Sequence, residues 1–164
     1  LMATMAAQAQ EPLGTSIPPP GITQAAAAKS PWAVDMFLHA DHFKKNSRLN
    51  EQNMGIGIKY YYPDTLLNWG GEFFAEVGGL RNSQKGQARF IGVGYTKKFF
   101  EMNGVRVSGS LAPVYIDYGA KGKSVARGLV LPFVSVGYGN WDVNTVYFSK
   151  HDGGFLLFSL QYRW

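Results

Sequence analysis

The C-terminal segment alternates strictly. Leu156, Phe158, Leu160, Tyr162 and Trp164 fall on one face, and Leu157, Ser159, Gln161 and Arg163 fall on the other. A period of two is the signature of a β-strand with different surroundings on its two sides. The same alternation recurs upstream. Met54, Ile56, Ile58, Tyr60 and Tyr62 alternate with Gly55, Gly57, Lys59 and Tyr61, and Phe73, Ala75 and Val77 alternate with Glu72, Phe74 and Glu76. Val105, Val107, Gly109 and Leu111 are offset by one from Arg106, Ser108 and Ser110. The pattern predicts eight strands, at about 32–43, 53–63, 68–81, 88–99, 104–117, 126–138, 141–150 and 154–164. Each is near or above the roughly 9–11 residues with which a tilted strand crosses a bilayer.

Alternation does not say which face is inside. A soluble carrier of a hydrophobic ligand would turn the apolar face inward, and a membrane barrel would turn it outward. Three features predict the membrane arrangement. The opposite faces carry Lys59, Glu72, Glu76, Arg106, Gln161 and Arg163, which suit a paired interior. Aromatics such as Tyr60, Tyr62, Trp69, Phe99, Phe100 and Trp141 gather near strand ends, as interfacial girdles do. The alternating apolar run closing on Trp164 resembles the C-terminal recognition sequence of bacterial outer-membrane proteins. The expected fold is therefore all-β, an eight-stranded antiparallel transmembrane β-barrel over 32–164, in the bacterial outer membrane. Residues 1–10 contain Ala7-Gln8-Ala9, an A-x-A pattern, and are expected to be a signal-peptide remnant. Residues 11–31, with Pro18-Pro19-Pro20, are expected to form an extended, flexible N-terminal arm.

Composition narrows the chemistry. Among 164 residues there are 20 glycines and 24 aromatics, a pairing that disfavours a helical bundle. Cysteine is absent, which excludes disulfides and thiolate chemistry. The net charge of +5 calls for an anionic partner. In an up-and-down barrel the links after strands one, three, five and seven share one end. That end gathers Lys44, Lys45, Arg48, Arg81, Lys85, Arg89, Lys121, Lys123, Arg127 and Lys150, ten of the 16 basic residues. Four basic loops at one rim fit the phosphates of lipopolysaccharide. They do not fit nucleic acid, because no exposed aromatic platform is interleaved with them. His39, His42 and His151 fall at or near the same rim, as does Ser83, so a serine and a histidine could meet there. The histidine spacing is not a metal-ligand set, and no metal or cofactor is expected.

Leu131-Pro132-Phe133-Val134-Ser135-Val136-Gly137-Tyr138-Gly139 resembles the LPxxSVGYG stretch of the lipid A palmitoyltransferases (PagP family). Phe90-Ile91-Gly92-Val93-Gly94-Tyr95 is similar to that family's fourth strand, Ser83 aligns with the serine of its Asp-Ser pair, and His39-Ala40 is similar to its catalytic His-Ala. The resemblance runs from about His39 to the end. It implies a monomeric outer-membrane enzyme, without cofactor, that moves a palmitoyl or similar acyl chain from a phospholipid to lipid A. It further implies that His39, Asn82 and Ser83 are catalytic and that Gly94 floors an acyl-chain cavity. Pro132 and Ser149 would flank a lateral lipid gate, since proline cannot donate to a ladder. Lys44, Lys45, Arg48, Arg81, Lys85, Lys121, Lys123 and Arg127 would hold lipid A phosphates. One departure is chemical: Asn82 stands where the family has aspartate, and a neutral amide cannot stabilise an imidazolium by charge. A non-catalytic outer-membrane barrel that binds lipopolysaccharide is the alternative.

Overall fold

The computed structural model describes residues 30–43, 51–84, 86–120, 123–150 and 153–164. The expected signal remnant and nearly all of the N-terminal arm lie outside them. The described residues form eight strands: β1 (Trp32–His42), β2 (Gly55–Pro63), β3 (Gly71–Arg81), β4 (Gln87–Met102), β5 (Val105–Ala120), β6 (Lys123–Tyr138), β7 (Trp141–Lys150) and β8 (Gly153–Arg163). Each strand pairs with its sequence neighbours, and β8 returns to β1 to close the barrel. All pairs are antiparallel.

Closure follows from the chain's local chemistry. At the end where the chain enters and leaves, the links are short. Asn103 and Gly104 both take positive φ (52° and 81°), as a two-residue hairpin turn that matches strand twist requires. Gly139 (φ 56°) leads the equivalent turn before Asn140. In the longer 64–70 link, the Asp64 carboxylate accepts hydrogen bonds from the Leu67, Asn68 and Trp69 amides and from the Tyr95 hydroxyl, at 2.7–3.1 Å. Desolvation by its neighbours raises the Asp64 pKa, but these bonds outweigh it and hold the carboxyl below its ordinary value. The longest link of the chain, between His42 and Gly55, lies at the opposite rim, and by the usual asymmetry of such barrels this end is called periplasmic and that rim outer.

The apolar face points out. Ile56, Ile58, Val77, Ile91, Val93, Leu111, Val130, Val134, Val136 and Val143 are all exposed on the wall. Trp32 packs on Tyr60, and Trp141 on Tyr162, with ring centroids 4.8 and 4.7 Å apart. Asp35, Lys59, Ser135, Asn144, Ser159 and Gln161 are buried inside. A greasy exterior around a polar lumen is the inverse of a soluble protein. This is the architecture of a transmembrane β-barrel.

The periplasmic half of the lumen holds a polar network, beside a space bordered by Glu72, Thr96, Arg106, Ser108 and Arg163. Lys59 Nζ lies 2.8 Å from Asp35 and 3.3 Å from Glu76, and donates to Gln161 Oε1 at 3.1 Å. The Tyr61 hydroxyl donates to the same oxygen at 3.0 Å. Asn144 Nδ2 donates to Asp35 at 3.0 Å, while its own oxygen accepts from Ser135 at 2.6 Å. Arg163 grips Glu72 through two 2.8 Å bonds, and Arg106 donates to Asp142 at 2.8 Å. Buried charges are tolerable only when paired in this way.

Pairing around the wall is uneven. The β5–β6 ladder is continuous from Val105↔Tyr138 to Ala120↔Lys123. The β6–β7 ladder begins at Tyr138↔Trp141 and stops at Phe133↔Val146, although both strands continue outward. On the β1–β2 side the ladder stops at Phe37↔Gly55, and above it the Ala40 amide reaches the Glu51 carbonyl at 2.8 Å.

Candidate functional site

In the outer half the lumen changes character. Phe37, Ala40, Leu80, Phe90, Val114, Ile116, Leu129, Leu131, Phe133, Val146, Phe155 and Leu157 enclose a cavity of about 90 Å³, with Asn53, Glu76, Tyr118 and Ser83 among its polar lining. One water needs roughly 10–15 Å³ of such space, and a methylene is about the size of a water, so the cavity takes roughly six to nine methylenes.

Ser83, in the tight turn after β3, shares a hydrogen bond of 2.9 Å with Nε2 of His42. With the imidazole proton on Nδ1, the serine hydroxyl donates to Nε2, which is the arrangement a general base requires. His42 Nδ1 is buried and has no hydrogen-bond partner among the described atoms. The predicted meeting of a serine with a histidine therefore occurs, but with a different histidine. His39 is exposed on the outer wall, where its ring stacks on Phe158 at 6.5 Å. The reason is a β-bulge between Phe37 and His39, where Leu38 is an extra residue against β8. Regular alternation would carry His39 inward. The extra residue shifts the phase, so Ala40 lines the lumen and His42 follows it.

Asn82 is fully buried beside this pair, but its carboxamide is committed to holding the turn. Its Nδ2 donates to the Gly119 carbonyl at 3.0 Å, and its Oδ1 accepts from the Gln84 and Gly86 amides at 3.0 and 2.8 Å. Asparagine commonly organises turns in this way. It presents the next residue, Ser83, to the cavity.

Gly94 faces inward but is not among the residues that line the cavity. A Cβ there would collide with the Phe74 ring, and Phe74 packs edge-on against Phe133, centroids 5.8 Å apart. The glycine makes room for this ring at the level of Ala112, which with Phe133 lines the cavity.

Pro132 is the residue at which the β6–β7 ladder has already stopped, one position beyond Phe133. Ser149 pairs with Gly154 of β8 and has no ladder partner on β6. Leu129, Leu131 and Val146 line the cavity from the two sides of this gap, so the opening lies beside the apolar space. Unpaired backbone facing hydrocarbon costs several kcal/mol per group, which makes such a gap a feature to be explained.

Of the expected phosphate-binding rim, Arg81 and Arg127 are exposed at the outer end. Lys44, Lys45, Arg48, Lys85 and Lys121 lie outside the described residues, as does His151. Lys123 begins β6, paired with Ala120. Sequence reasoning missed Asn53 altogether. It precedes β2, and no motif marks it.

No known protein-family profile matches the sequence, and neither does any curated protein. Among solved structures the chain is similar to the Yersinia pestis outer membrane protein Ail in a phospholipid bilayer nanodisc, at 16% identity and a TM-score of 0.44, over 83% of this chain and 100% of that one. The crystal structure of Ail from the same organism gives 15% identity and a TM-score of 0.40, over 84% and 100%. The N-terminal β-barrel domain of Pseudomonas aeruginosa OprF gives 10% identity and a TM-score of 0.46, over 84% and 100%.

Proposed function

We propose that this barrel transfers an acyl chain, palmitoyl or similar, from a phospholipid to lipid A. The observation that carries the reading is the 2.9 Å pair of His42 and Ser83 at the wall of an apolar cavity. The unpaired β6–β7 stretch beside Pro132 supports it, because a membrane lipid could reach the cavity sideways. The cavity takes about half of a sixteen-carbon chain, so the rest of a palmitoyl group would lie in the gap. Arg81 and Arg127 would meet phosphates at the rim.

In this scheme His42 takes the role that the resemblance gave to His39. Its Nε2 accepts the proton of the lipid A hydroxyl, whose oxygen attacks the phospholipid ester carbonyl. The Ser83 hydroxyl, displaced from Nε2 by the lipid A hydroxyl, turns to donate to the developing oxyanion. Collapse of the tetrahedral intermediate breaks the ester bond, and the imidazolium returns its proton to the departing lysophospholipid oxygen. No cofactor enters the scheme.

One observation favours the second reading, a lipopolysaccharide-binding barrel without catalysis. Among the described residues His42 Nδ1 has no carboxylate or other hydrogen-bond partner to orient it, and Asn82 is bound to the turn. The test is to incubate the purified barrel with phospholipid and lipid A in detergent and look by mass spectrometry for lipid A heavier by one acyl chain. Acyl transfer predicts product from wild type, a loss of about 100-fold or more in His42→Ala, as for removal of a general base, and near-normal product from His39→Ala. Product undiminished in His42→Ala overturns the assigned base. No product from wild type, with lipopolysaccharide still bound, selects the second reading.

A further inference from the structure

Asn53 differs from the other buried polar residues of the lumen. Asp35, Asn144, Gln161 and Asn53 are all at most 4% exposed, but the first three are tied into the periplasmic network. Asn53 instead lines the apolar cavity with Ser83, and its Oδ1 is buried without a hydrogen-bond partner among the described residues. Its own amide donates to the Glu51 carbonyl at 3.1 Å, and the same carbonyl accepts from Ala40 of β1. The segment is thus pinned against the wall while the side-chain oxygen faces a space lined mainly by hydrocarbon.

An amide oxygen left unpaired among apolar side chains carries a free-energy penalty, which disappears when a donor reaches it. Of the hydroxyls in the lining, Ser83 is engaged by His42 and neither it nor Tyr118 hydrogen-bonds Asn53 Oδ1, so the donor that meets this oxygen arrives with whatever occupies the cavity. A carboxamide oxygen only accepts. It therefore favours a ligand with a hydroxyl or N–H close to its apolar chain, and it disfavours one with only ether or ester oxygens there.

We propose that Asn53 is a specificity-determining residue of the cavity, its Oδ1 accepting a hydrogen bond from a hydroxyl or amide N–H at the head of an apolar chain. The inference deepens the acyl-transfer reading and rests on it for the identity of the lipid. The recognition itself is a binding property and is tested as one.

Three probes of equal chain length are titrated into the full chain in detergent micelles: octan-1-ol, octanamide and methyl octyl ether. Binding is read from the side-chain amide resonance of Asn53 and the methyl resonances of Leu131 and Leu157. The donor-bearing probe is expected to bind about tenfold tighter than the ether, the span of one buried hydrogen bond. A gain confined to the alcohol or to the amide identifies which donor is recognised. Asn53→Leu is expected to remove the preference and keep the ether's affinity, and Leu131→Trp, which fills the cavity, is expected to abolish binding of all three. An ether that binds wild type as tightly as the alcohol and the amide overturns the role of Asn53 and leaves the cavity intact as a binding site. No shift with any probe overturns both.

Discussion

Inward of Phe133 and toward the periplasm, Lys59 joins Asp35, Glu76 and Gln161, Asn144 joins Asp35, and Arg163 holds Glu72, with a polar-lined space beside them. Outward of it, the same eight strands hold Phe37, Leu131 and Leu157 around empty space. The two halves also differ in their walls. The β6–β7 ladder is intact beside the polar network and absent beside the cavity. A barrel of this size has room for side chains to fill it completely, but here the inner half keeps a space among polar and charged groups and the hollow outer half one among hydrocarbon. The networked half holds the cylinder together, and the hollow outer half suits an apolar ligand.

The sharpest way to break this contrast is at Lys59, the hub of the networked half. Lys59→Met leaves Asp35 and Glu76 buried without their shared cation. The expected loss is about 3–5 kcal/mol, the usual cost of removing one partner of a buried pair, measured by urea unfolding of barrels reconstituted in lipid. The hollow half should be more forgiving. Leu131→Ala enlarges a space that is already there, and about 1 kcal/mol is expected in the same assay, below the roughly 2–5 kcal/mol of such deletions in filled cores. An equal loss at both positions would show the outer half to be as tightly built as the inner.

The smallest effect lies outside both halves, at Asp64. Because its folded pKa is depressed, its contribution is present above its unfolded value of about 4 and is lost as pH falls through the lower folded value. Asp64→Asn should leave the barrel slightly weaker at neutral pH and remove that part of its acid sensitivity. Unfolding midpoints compared at pH 7 and pH 3 measure this.

Much of the architecture was legible because a wall with lipid on one side and a lumen on the other imposes a strict period of two. Glu72, Arg163, Lys59 and Glu76 could be assigned to a paired interior from their offset against the apolar positions alone. Strand ends were less accurate. β4, β5 and β6 run past their expected limits, since the pairing of Asp117 to Ala120 with Lys123 to Ala126 continues beyond the alternating apolar stretch. The site was legible in its residue types and its end of the barrel, but not in its partners. One bulged residue, Leu38, exchanges which histidine sees the lumen, and nothing in residues 36–42 announces a bulge. Asn82 could be read as a catalytic substitute only while its turn was unknown. Gly94 marks a close approach, as glycines often do, but the approaching group is Phe74 of the protein itself.

The two interrupted ladders have a mechanical consequence. The outer segments of β7, β8 and β1 stay laced to one another, while the regular stitching to β6 on one flank and to β2 on the other ends lower down. They form a three-stranded tongue rooted in the periplasmic half. His42 rides on this tongue and Ser83 on the opposite bank, so their bond is a clasp across the mouth. Lateral tension in the surrounding leaflet is borne at the tip of the tongue before it is felt anywhere else in the cylinder.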